Sequence, residues 1–167
     1  LTQAQGGTAL TMTWPWAASL NISQALIEDV LISGFDPGLH TWAYAVNETN
    51  GWGVQYRGVV ARGLNGAEAM VAGFVVQGKS IGTTWIATQG FNAYVGYWVV
   101  GAEAEGGTWA QTTVVGGSRG YHVALTAGRP GWVFDHVHAD VRNIGIFLQH
   151  AAQAVVGAKQ AELAAEQ

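Results

Sequence analysis

The chain has 167 residues, with seven Lys and Arg against eleven Asp and Glu and a formal net charge of −4. Hydrophobic residues make up 49% and charged residues 11%, so the chain is too apolar for intrinsic disorder and long enough for one folded domain, residues 1–167. The basic residues stand singly, which argues against a nucleic-acid partner. Cysteine is absent, which excludes disulfides and thiolate zinc sites.

The first segment, residues 1–39, contains a predicted amphipathic helix at about residues 21–33. Gly34 and Pro37 follow it as stop signals. Its apolar residues recur at helical spacing, at Ile22, Leu26, Ile27, Val30 and Leu31. We expect this helix to pack its apolar face on a sheet, unless that face serves a membrane.

The middle segment, residues 40–140, has the period-two alternation of β-strands. The predicted strands are 40–47, 52–61, 67–77, 80–88, 93–102, 108–115, 120–127 and 131–140. Turn signals such as Asn50-Gly51 and Pro130-Gly131 separate them. Short strands at this spacing predict an antiparallel β-sandwich.

The last segment, residues 141–167, again predicts a helix, with Asp140 as its cap. Its apolar stripe comprises Ile144, Phe147, Leu148, Ala151, Val155 and Val156. This helix either docks on the sandwich or joins copies of the chain. The expected fold is therefore mainly β (α+β), an antiparallel β-sandwich flanked by an N-terminal amphipathic helix and a C-terminal helix.

Catalytic motifs are absent from the sequence. There is no nucleophile elbow, phosphate-binding loop or zinc-protease motif. Glu103 and Glu105 alternate beside the turn at Gly106, where two solvated acids are the ordinary outcome. We expect no enzymatic activity.

The best metal candidates are His136, His138 and Asp140, because residues two apart share one face of a strand. His122 could add a fourth ligand. The alternative is a polar outer face of the sheet, and we expect neither a metal nor another cofactor.

The aromatic residues are the most informative feature, because eight Trp exceed what a core of this size needs. A dense group lies at Phe91, Asn92, Tyr94, Tyr97 and Trp98. Exposed aromatic sets either stack on sugars or sit at a membrane interface. Because a bulge at Gly96 would bring their rings to one side, we expect Tyr94, Tyr97 and Trp98 to form one exposed patch.

Two blocks of the sequence resemble the actinoporins, which are pore-forming cytolysins. In the first, Ala18-Ser19-Leu20 leads into the amphipathic segment and Trp42–Val46 runs into Asn47-Glu48-Thr49-Asn50-Gly51-Trp52. In the second, Gly66-Ala67 to Gly78 matches the family's hairpin spacing, and the aromatic group at 91–98 falls where that family binds lipid.

This resemblance implies a membrane-binding, pore-forming protein that acts as a homo-oligomer. The aromatic group would seat the sandwich on a lipid membrane, and the N-terminal segment would detach and insert. The inserting residues would be Leu10, Trp14, Trp16, Leu20, Ile22, Leu26, Ile27, Val30 and Leu31.

Two other functions need no mobile helix. One is a lectin-like protein that binds a glycan through its aromatic faces, and the other is a structural subunit of an extracellular assembly. Low charge, abundant Trp and 24 Gly favour a secreted location for all three.

Overall fold

The chain winds as a parallel β-solenoid whose strands form three sheets. The computed structural model describes residues 7–13, 24–35, 43–63, 70–101, 104–125, 131–149 and 154–156. Every regular element among these residues is a β-strand. Each strand pairs in parallel with the strand three places later in the chain, so successive turns stack on one another.

Sheet A comprises β1 (Gly7–Thr13), β4 (Ala43–Thr49), β7 (Met70–Gln77), β10 (Ala93–Gly101), β13 (Arg119–Leu125) and β16 (Ile144–Gln149). Sheet B comprises β2 (Leu26–Glu28), β5 (Gln55–Arg57), β8 (Ile81–Ile86), β11 (Glu105–Ala110), β14 (Trp132–Asp135) and β17 (Ala154–Val156). Sheet C comprises β3 (Leu31–Phe35), β6 (Val60–Gly63), β9 (Gln89–Phe91), β12 (Thr113–Val115) and β15 (His138–Asp140).

Aromatic ladders fill the interior. In sheet A, the rings of Phe74, Tyr97 and Tyr121 stack at centroid distances of 4.7 and 5.0 Å. In sheet B, Trp85 stacks on Trp109 at 4.9 Å, and the ladder continues to Phe134. In-register pairing puts equivalent residues of successive turns one strand spacing apart, so an aromatic residue repeated in each turn stacks on its own counterpart.

Glycines in sheet A allow it to approach sheet C closely. A Cβ on Gly96 would lie 2.4 Å from a methyl of Val114 in β12, and one on Gly120 would lie 2.8 Å from the Cβ of Ala139 in β15. Any side chain at these positions would collide with sheet C, so these glycines set how closely the two sheets approach.

The expected antiparallel sandwich is therefore wrong. Period-two alternation is the same in parallel and antiparallel strands, because it follows from the pleat and not from the partner's direction. The turn signal Asn50-Gly51 marks a corner of the solenoid, whereas Gly106, which was also expected in a turn, lies in the strand β11. At Asn50, where φ is 59°, the chain leaves sheet A for sheet B and does not fold back as a hairpin.

The prediction of an N-terminal amphipathic helix is also wrong for residues 24–33, the part of that segment that the structure describes. Residues Leu26–Glu28 and Leu31–Phe35 are strands that meet at Asp29, a corner with φ of 53°. Because the corner shifts the alternation, Ile27 and Val30 both pack against the core. This spacing of apolar residues imitates a helical stripe.

The predicted C-terminal helix is also wrong for the described residues of that segment. Ile144–Gln149 pairs with β13, with Ile146 against the core and Phe147 on the opposite face. Ala154–Val156 is the strand β17, and residues 150–153 and 157–167 of the predicted helix lie outside the described residues. Among the described residues, no helix is long and apolar enough to cross a membrane.

Candidate functional site

The outer face of sheet A carries aromatic and basic side chains. Trp98 lies between the core residues Tyr97 and Val99, and His122 lies between Tyr121 and Val123. Alternation along a strand therefore turns Trp98 and His122 outward. With Tyr94, Arg119 and Phe147 they form what we call the aromatic–arginine cluster.

Three rings of the cluster stand in one row across three strands. Trp98 pairs in register with His122, and His122 with Phe147. The ring centroids of Trp98 and His122 are 6.0 Å apart with planes 13° apart, and those of His122 and Phe147 are 4.8 Å apart. The row rests on backbone hydrogen bonds of the sheet, so it is held more rigidly than a loop would hold it.

Arg119 lies across this row. Its guanidinium carbon is 5.1 Å from the centroid of the Phe147 ring and 5.9 Å from that of Tyr94, within the range of cation–π interactions. One guanidinium nitrogen donates to Nδ1 of His122 at 3.3 Å. Arg119 is partly buried, whereas Tyr94 keeps 41% of its surface exposed.

The imidazole of His122 is held in its neutral form. Burial and the neighbouring Arg119 cation lower the pKa of His122 below its ordinary value of 6.5, while the side chain of Gln149 works in the opposite direction. Because an arginine cannot accept a hydrogen bond, Nδ1 is the acceptor and the proton sits on Nε2. Arg119 is therefore the positive charge of the cluster.

Toward the N-terminal end of the solenoid, the same face becomes apolar and then polar. Ala72, Val75 and Val95 form a small buried cluster against which Trp98 packs. Beyond it, the side-chain amide of Gln77 donates to the Oδ1 of Asn47 at 3.0 Å. The face thus combines ring surface, a cation and amide groups along one direction.

The structure separates the aromatic residues expected to form a site. Tyr97 is 0% exposed in the interior, so it does not share a patch with Tyr94 and Trp98. Phe91 lies in sheet C beneath the guanidinium of Arg62, 5.0 Å from it. Asn92 occupies the corner before β10, with φ of 56°, and its amide donates to the carbonyl of Gly63.

The residues expected to insert into a membrane do not share one face. Leu10 lies in β1 and packs against the core, as do Ile27 and Val30. Leu26 and Leu31 are 56% and 60% exposed on sheets B and C. The other four lie outside the described residues: Trp14, Trp16, Leu20 and Ile22.

The expected metal candidates do not converge. His136 occupies an exposed corner and contacts Asp135, while His138 and Asp140 are exposed on β15. Among the described residues, no group of three His, Asp or Glu side chains could hold a metal ion. Glu103, one of the two paired acids, lies outside the described residues.

Sequence reasoning missed three members of the aromatic–arginine cluster: Arg119, His122 and Phe147. Their signal is an internal repeat, since Trp98, His122 and Phe147 recur at intervals of 24 and 25 residues. Gly96, Gly120 and Gly145 recur at the same intervals. A period in this range is typical of solenoids and places such residues in one row.

No protein-family model, curated protein or solved structure matches this chain. The resemblance to the actinoporins therefore stays a prediction, although the described residues form neither the sandwich nor the N-terminal helix that it implied.

Proposed function

We propose that this protein is a carbohydrate-binding β-solenoid and that the aromatic–arginine cluster is its glycan-binding surface. The observation that carries the proposal is one contiguous set of side chains on a rigid outer face. It comprises the exposed Tyr94 and the partly buried Arg119, Trp98 and Phe147, packed around His122, which is 7% exposed. Sugars present apolar C–H faces together with hydroxyl groups, so they fit surfaces that combine rings with planar hydrogen-bond donors.

The direction of the row suits a chain of sugars. The amides of Asn47 and Gln77 lie on the same face beyond the buried cluster of Ala72, Val75 and Val95, so only a glycan long enough to pass over that cluster would also meet these polar groups. Binding of a glycan, unlike formation of a pore, does not require the N-terminal segment to detach. A secreted location remains part of the proposal, because extracellular glycans are the ligands it requires.

A glycan array probed with the labelled full-length chain tests the proposal, followed by calorimetry with the glycan that binds. Tyr94→Ala should weaken binding by about fivefold, because an aromatic contact contributes on the order of 1 kcal/mol. Since Tyr94 is 41% exposed, its loss should change the free energy of unfolding by less than about 0.5 kcal/mol.

Trp52→Ala is the matched control, because Trp52 is 42% exposed and lies away from the cluster. It should bind as the wild type does. Equal losses in the two variants, no binding to any glycan, or binding to phospholipid vesicles alone would each contradict the proposal. The homo-oligomer expected from the sequence stays a prediction that the mass in solution tests.

A further inference from the structure

Arg119 has no carboxylate partner in the described parts of the chain. Its contacts there are the rings of Tyr94 and Phe147 and the Nδ1 of His122. A guanidinium has five N–H donors, so one hydrogen bond to an imidazole leaves most of them unused. Arg57 offers a contrast, because it pairs with Glu28 at 3.2 Å.

Although the chain as a whole is acidic, none of the acids in its described parts belongs to the aromatic–arginine cluster. The acids of the described residues lie elsewhere: Glu28, Glu105 and Asp135 lie on sheet B, Asp29 lies at the corner between β2 and β3, Asp140 lies on sheet C and Glu48 is inside the core. His122 contributes no negative charge. The cluster thus presents one partly desolvated cation, which strengthens its attraction for an anion.

The position of the guanidinium is fixed before any ligand arrives. Two rings and an imidazole hold it, and the imidazole can accept its hydrogen bond only while neutral. Holding an arginine in place reduces the conformational entropy lost when it binds a ligand. Its planar fork matches the two oxygens of a carboxylate.

We propose that the glycan bound by the cluster is acidic, and that Arg119 binds the carboxylate of a uronic acid unit. This inference rests on the proposed function and names its ligand class. In the bound state, the sugar ring lies against Tyr94, and its carboxylate accepts hydrogen bonds from the N–H groups of Arg119.

Calorimetry with matched glycans tests the inference. The probes are oligomers of galacturonate, alginate and hyaluronan, each with its methyl ester, together with neutral cello-, xylo- and chito-oligosaccharides. At least one acid should bind about tenfold to a hundredfold more tightly than its own ester, because the ester removes a charge-assisted hydrogen bond. Added salt should reduce this preference.

Arg119→Gln should bring the ratio of acid to ester affinity to about one. Arg62→Gln should leave it unchanged, because Arg62 also lies over a ring but on sheet C. If Arg119→Gln does not fold, the ratio of acid to ester affinity in the wild type and its dependence on salt still test the inference. Equal binding of acids and esters, or binding of neutral glycans alone, overturns this inference and leaves the proposed function standing. Failure of every glycan overturns both.

Discussion

At the scale of single residues, the buried carboxyl of Glu48 stands out. It is 0% exposed and accepts hydrogen bonds from the hydroxyls of Tyr56 at 3.1 Å and Thr83 at 2.8 Å. Burial raises the pKa of Glu48 from 4.5 to about 7, although hydrogen bonds from Thr83, Tyr56 and Ser80 pull it down. The core therefore favours the neutral acid.

This raised pKa predicts a pH dependence of stability. Between about pH 4.5 and pH 7 the unfolded chain releases the Glu48 proton while the folded chain keeps it. Folding stability should therefore fall as pH rises through this range, by roughly 3 kcal/mol from this group, and not change further above it. Urea unfolding of the wild type and of Glu48→Gln across this range measures the effect.

Because both proteins contain His122, the difference between their free energies of unfolding reports on Glu48 alone. The lowered pKa of His122 acts in the opposite direction, because stability is lost when pH falls below about 6.5 and the unfolded chain gains the proton. Glu28→Gln is the control, since Glu28 is exposed and paired with Arg57 at the surface. If Glu48→Gln kept the pH dependence of the wild type, a buried ionisable Glu48 would be ruled out.

At the scale of elements, hydroxyl groups enter the core in pairs. Thr88 and Tyr97 share a hydrogen bond of 2.7 Å, and one turn later Thr112 and Tyr121 share one of 2.8 Å. The preceding turn has Val59 and Phe74 at the equivalent positions, and the following turn has Val137 and Ile146. A buried hydroxyl without a partner is costly, so both members of a pair are polar or neither is.

This pairing predicts strong coupling between Thr88 and Tyr97. Either Thr88→Val or Tyr97→Phe leaves the other hydroxyl buried and unpaired and should cost about 1–3 kcal/mol. The double variant reproduces the combination of Val59 and Phe74, so its loss should be clearly smaller than the sum of the two single losses. Equilibrium unfolding in urea gives all the free energies of the cycle.

The neighbouring turn supplies the control. Tyr121 also donates to the carbonyl oxygen of His138, at 3.4 Å, so Thr112→Val leaves its hydroxyl a second acceptor. Thr112→Val should therefore cost less than Thr88→Val. Strictly additive losses at Thr88 and Tyr97 would contradict the account of paired hydroxyls.

At the scale of the whole molecule, stability is built from contacts between adjacent turns. Each turn stacks mainly on the turn before and the turn after it, as in other repeat architectures. The register Ala72–Val95–Arg119 shows that residues 95–118 make up one full turn. Such a turn can be removed without changing the register of the others.

Deletion of residues 95–118 should thus give a folded but less stable protein. Arg119 would take the place of Val95 beside Ala72, and Phe74 would stack on Tyr121. Circular dichroism should show a β spectrum with cooperative thermal unfolding at a lower temperature than in the wild type. Fewer interfaces between turns remain to oppose unfolding.

Deletion of residues 95–106, half of the same turn, is the matched comparison. It joins Tyr94 to Gly107 and puts a strand of sheet B where sheet A needs one, so the inner ladders cannot continue. This variant should not fold. If both deletions behaved alike, assembly from interchangeable turns would be contradicted.

Much of the location of the strands was predictable from sequence. The predicted strands 93–102 and 120–127 lie close to Ala93–Gly101 and Arg119–Leu125. Alternation and glycine punctuation are local properties, so they survive any choice of partner. The candidate site was predictable only in part. Tyr94 and Trp98 were named, whereas Arg119 and Phe147 lie one and two turns away.

The sequence by itself determined that the chain folds largely into strands, where many of them lie and that aromatic residues dominate its chemistry. The tertiary structure decided the parallel direction of the strands and the side on which each ring lies. Strand direction depends on which segments meet, and Tyr97 and Trp98 face opposite sides because the interior lies on one side of sheet A. A period near 24 residues connects the two levels, because the turn length brings Trp98, His122 and Phe147 into one row.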